Sequence, residues 1–60
     1  MNLPKDPFML YSVINMKMRD EGMDFENLCL REDLDASAIE SALYKAGFIY
    51  DPTTRQFNAK

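Results

Sequence analysis

Cys29 and the carboxylates Glu32, Asp33 and Asp35 are the residues of this 60-residue chain whose types and spacing come nearest to chemistry. A thiol attacks only as its thiolate, which a neighbouring histidine or other cation has to stabilise. The chain contains no histidine and only this one cysteine. Cys29 also follows Leu28 in a small apolar slot, so it reads as inert packing. Three carboxylates within four positions suggest a divalent cation, yet a calcium loop needs a glycine at its bend and a closing glutamate at fixed spacing, and both are missing. The run reads as solvated turn chemistry. A single cysteine gives no internal disulfide and no cysteine-rich zinc cluster, and no two titratable side chains converge as an acid–base pair. We expect no enzyme, no metal and no cofactor.

Phosphate contact is the second chemistry to weigh. Ser37, Ser41, Tyr44 and Lys45, with Ala38, share the outward face of a helix, and Thr53, Thr54 and Arg55 fall where a small wing would place its tip. Hydroxyls and a lysine contact phosphates, but the arginines, asparagines and glutamines that read base edges in pairs are absent from the helix, and Glu40 repels a nucleic-acid backbone. Asp24 to Gly47 carries six carboxylates, Asp24, Glu26, Glu32, Asp33, Asp35 and Glu40, against Arg31 and Lys45. The whole chain has a net charge of -3, a balance that opposes nonspecific attraction to phosphates or anionic membranes. DNA binding through Ser37, Ser41, Tyr44, Lys45 and Arg55 is therefore the alternative reading, disfavoured by charge.

These residues have to be positioned by a pair of short helices. Asp24 is an N-cap, because its carboxylate accepts unpaired amides and suits the positive end of the helix dipole. That helix runs to about Glu32. Asp33, Leu34 and Asp35 form a turn, since aspartate bonds its own nearby backbone and tolerates the left-handed conformation. Ser37 or Asp35 caps the next helix, whose Ile39, Ala42, Leu43 and Ala46 recur at steps of three and four and face inward. Gly47 closes it. Leu28 and Leu34 flank the turn and Cys29 sits where the helices cross, a helix-turn-helix-like register with Glu32 at a usually apolar position and Asp33 at a usual glycine position.

Upstream, Asp6 followed by Pro7 starts a helix, with a capping acid and a proline whose missing N–H had no partner there anyway. It ends at about Asp20 or Glu21, stopped by Gly22. Leu10, Tyr11, Ile14 and Met18 form its core stripe. Met9, Val13 and Met16 lie on a flank beyond Lys17, leaving Phe8, Ser12, Asn15 and Arg19 on the remaining face, so the apolar arc is about twice the ~100° that one core contact demands. Either the C-terminal segment folds back over this flank, or the flank is a partner surface; methionines are over-used at adaptable interfaces. Downstream, Phe48–Tyr50 and Gln56–Asn58 read as two strands around a turn at Asp51–Arg55, with Phe48, Tyr50 and Phe57 facing the helices and Ile49 facing away. Ala59 and Lys60 are expected to fray.

Met1 to Lys5 reads as an extended lead-in, because Pro4 and Pro7 disfavour helix at the residues before them. No stretch approaches the roughly 20 apolar residues that cross a bilayer, and the start has no signal-peptide pattern, so a soluble cytoplasmic protein is expected. A chain of this length buries only about 60% of the surface its unfolded form exposes.

The opening Met1-Asn2-Leu3-Pro4-Lys5-Asp6-Pro7 with Met9-Leu10, the pair Leu28-Cys29, and the close Gly47-Phe48-Ile49-Tyr50-Asp51 with Phe57 resemble the small bacterial proteins of the domain of unknown function 4250 family. The resemblance implies a free-standing bacterial protein of this size and carries over no functional residues. The expectation is a mainly α, single three-helix domain over residues 1–60, with a helix-turn-helix-like pair and a short C-terminal β-hairpin. Its expected work is protein interaction through Phe8, Met9, Val13 and Met16, with a protein partner or a second copy as in a homodimer.

Overall fold

The computed structural model describes residues 3–60; of the extended lead-in, Met1 and Asn2 lie outside the described residues. Three helices, α1 (Pro7–Glu21), α2 (Phe25–Glu32) and α3 (Ala36–Lys45), precede an antiparallel hairpin of β1 (Phe48–Asp51) and β2 (Gln56–Ala59). Each helix starts on an aspartate. Asp6 accepts from the Phe8 N–H at 2.9 Å, Asp24 from Asn27 at 2.9 Å and Asp35 from Ala38 at 3.2 Å. Of the two residues able to cap α3, Asp35 takes the role, because it is the extended residue just before Ala36, whereas Ser37 already lies within the helix.

Helix ends follow the left-handed logic. Gly22 adopts φ 64 after α1, and the Met23 N–H returns 3.1 Å to the Met18 carbonyl. Asp33 takes φ 55 after α2, doing at the tight turn what glycine does more cheaply. Gly47, at φ 99, turns the chain from α3 into β1.

Leu10, Ile14 and Met18 of α1, Phe25, Leu28 and Cys29 of α2, Ile39 and Leu43 of α3, and Phe57 of β2 form one buried core. Leu3, Tyr11, Leu34, Phe48 and Tyr50 pack around it half-buried. Ala42 does not belong to it: its side is exposed, because Ile39 and Leu43 centre the inward face and leave Ala42 at its margin. The C-terminus is not frayed. Ala59 pairs with Phe48 and the Lys60 N–H donates to the Gly47 carbonyl at 2.8 Å, so the register runs to the last residue.

Candidate functional site

Helix α1 has two flanks beside its core stripe, and the hairpin covers the one carrying Phe8, Tyr11 and Asn15. Tyr11 stacks on Phe48 with ring centres 4.1 Å apart and Phe8 meets the same ring edge-on at 5.6 Å. Asn15 makes the directional contact. Its Oδ1 accepts the Phe57 N–H at 2.7 Å and its Nδ2 donates to the Phe57 carbonyl at 2.9 Å. The carboxamide thereby does for β2 what a neighbouring strand would do. Gln56 adds a bond from its Nε2 to the Asn15 carbonyl at 3.3 Å. Asn15 therefore lies under the hairpin rather than on a free face.

The C-terminal segment does not fold over the methionine flank. Met9 is 58% and Met16 46% exposed, with Val13 half-buried between them. Phe8, 63% exposed despite its contact with Phe48, borders the same strip across Ser12. Met9, Val13 and Met16 thus lie together on one side of α1 with Met9 and Met16 exposed, whereas Phe8, at the edge of that strip, is partly covered by Phe48 of β1.

The residues weighed for DNA divide between two places. Ser37, Ser41 and Tyr44, together with Glu40, line an open groove of about 330 Å3 between α3 and β1. Lys45 is exposed further round α3. Arg55, held at φ 57 in the hairpin turn, lies instead beside Arg19, Gly22 and Met23 at the end of α1. The hairpin tip is not a wing that extends the α3 face. Tyr44 is also engaged, with the Lys60 ammonium 3.7 Å above its ring.

Cys29 is buried, and that burial, reinforced by the charges of Glu40 and Asp35, pushes its thiol up from the usual value. A raised pKa leaves less thiolate, the opposite of what a nucleophile needs. Among the described residues no group of three histidine, cysteine or carboxylate side chains is placed to hold a metal, and no helix is long and apolar enough to cross a membrane.

Two contacts lay beyond sequence reasoning. Tyr50 places its hydroxyl where it accepts the Phe25 N–H at 3.3 Å, closing the start of α2 alongside Asp24. The role of Asn15 had one faint signal: asparagine is a poor helix former, so its place in mid-helix asks for a partner.

No curated protein and no solved structure matches the chain. The family model described as domain of unknown function (DUF4250) matches residues 4–57, nearly the whole sequence, and the chain belongs to that family.

Proposed function

We propose that the chain is a non-catalytic protein-interaction module whose docking surface is the Phe8, Met9, Val13 and Met16 strip of α1, taken by a protein partner or by a second copy. The observation that carries this reading is exposure: Met9 is 58% and Met16 46% exposed, and Phe8 is 63% exposed beside its contact with Phe48, on a molecule with nine buried apolar residues among those described. Fully burying one such side chain contributes about 1.5–3 kcal/mol, so a covering surface recovers a large share of what this chain leaves in water. The unbranched methionines adapt to the surface they meet. The DNA reading gains less, since Glu40 shares the groove with the α3 hydroxyls and Arg55 sits at the end of α1.

The test is sedimentation velocity over about two decades of concentration, with capture of partners from native lysate, on the parent and on a Met9→Lys, Met16→Lys double variant. Both side chains are exposed, so the variant keeps its fold, and the expectation is that mass dependence on concentration or partner capture disappears. Association and capture that persist unchanged in the variant remove this surface from consideration.

A further inference from the structure

The hairpin has two outer edges, and the chain closes only one. On β2, Asn15 pairs with both outward groups of Phe57. On β1 the matching residue is Tyr50, directly opposite Phe57 in the register. The bond from the Lys60 N–H to the Gly47 carbonyl fixes which positions exchange hydrogen bonds across the hairpin. They are Gly47 with Lys60, Ile49 with Asn58 and Asp51 with Gln56, so Phe48 and Tyr50 turn their N–H and C=O groups away from β2. Among the described residues no backbone or side-chain group pairs with them.

That edge looks into the groove between β1 and α3. Its lining holds one carboxylate, Glu40, and no cation, with Ser41 and Tyr44 beside it and Ile49, 49% exposed, on the strand side. The rim already shows which charge it accepts, because the Lys60 ammonium rests on the Tyr44 ring at 3.7 Å. We propose that this groove takes an extended, lysine-bearing peptide segment of a protein partner, which adds to β1 as a third strand.

Main-chain bonds to Phe48 and Tyr50 fix the segment's register, and alternate side chains reach opposite faces of the enlarged sheet. A lysine directed at α3 meets the Glu40 carboxylate, the Tyr44 ring beside it being already covered by Lys60, and an apolar residue next to that lysine covers Ile49. This surface is separate from the methionine strip of α1, so either assignment can fail without the other.

The experiment is an NMR titration of the isotope-labelled full chain with a blocked hexapeptide of alternating lysine and valine. Its controls are the same peptide with glutamate for lysine and a fully N-methylated version. The Phe48 and Tyr50 amide protons are expected to move downfield and saturate with a Kd of about 1 mM. The N-methylated peptide is expected to lose the effect, and Glu40→Lys to weaken binding by a factor of about three to five. Met9→Lys leaves the titration unchanged. No movement of those two amides at about 10 mM peptide overturns the proposal, as does an equal response to either control. Shifts centred on Met9, Val13 and Met16 would move the peptide to α1. Shifts of Phe48 and Tyr50 that grow with protein concentration alone would give the edge to a second copy instead.

Discussion

The two flanks of α1 both carry apolar side chains and are treated in opposite ways. On one, Phe8 and Tyr11 meet Phe48 while Asn15 grips the Phe57 peptide unit with paired bonds of 2.7 and 2.9 Å. On the other, Met9 and Met16 remain about half exposed, at 58% and 46%. Apolar contact is non-directional, and by itself would let the hairpin lie on either flank. A carboxamide that satisfies an N–H and a C=O at once admits one position only. The paired bonds of Asn15 thus favour the flank that the hairpin covers and leave the methionine strip open.

The sharpest way to break that contrast is to remove the amide. Asn15→Ala leaves the Phe57 N–H and C=O without partners in a part-buried place, which costs about 2–3 kcal/mol. Urea unfolding is expected to show a lower midpoint at similar slope, and hydrogen exchange a loss of protection at the Phe57 amide. If the midpoint is kept, aromatic packing alone places the hairpin and the contrast between the flanks collapses.

The opposite flank supplies the small counterpart. Met9→Lys and Met16→Lys each change a side chain that the folded chain hardly uses, and each is expected to alter stability by no more than about 0.5 kcal/mol. Urea midpoints measured at low protein concentration, where association does not contribute, check this. A loss comparable to that of Asn15→Ala would mean that the strip is covered in solution by contacts within the chain.

Elements were more legible in the sequence than their arrangement. Asp6, Asp24 and Asp35 mark the helix starts, and Gly22 and Asp33 the ends, because caps are satisfied within a few residues. The facing of Phe48, Tyr50 and Phe57 was equally local, following from strand alternation. Which flank of α1 the hairpin would cover was not legible, since Asn15 and Phe57 are 42 positions apart and no periodicity links them. Ala42 misled for another reason. Alanine is small enough to sit at the margin of an inward face or outside it, so its spacing from Ile39 does not decide its burial. The ordered C-terminus follows from the register, which the Asp51–Gln56 turn fixes for both strands together. Of the candidate surface, the composition of the α1 strip could be read from the sequence, but its exposure depended on where the hairpin went.

The contrast between directional and loose contacts has a third case on α1, and it tests whether direction matters once water is present. Glu21, at the end of α1, accepts from the Arg31 guanidinium of α2 at 3.2 Å, and Arg31 also reaches Glu32 at 3.3 Å. The hydrogen bond from Arg31, with its charge, holds the Glu21 carboxyl below the ordinary glutamate value. A carboxyl whose folded pKa is depressed adds stability above its unfolded pKa and loses it as pH falls through the folded value. The pair is solvated on both sides, with 42% and 38% of the side chains exposed, so the effect is small. Glu21→Gln is expected to lower the urea midpoint slightly near neutral pH, with the difference from the parent closing on acidification below the usual carboxylate range. Carbon-detected titration of Glu21 gives the independent check, since Arg31→Gln is expected to return its midpoint upward. An unchanged Glu21 midpoint in Arg31→Gln would show that the pair is not populated in solution, leaving the part-buried Asn15 amide as the contact on α1 whose direction contributes.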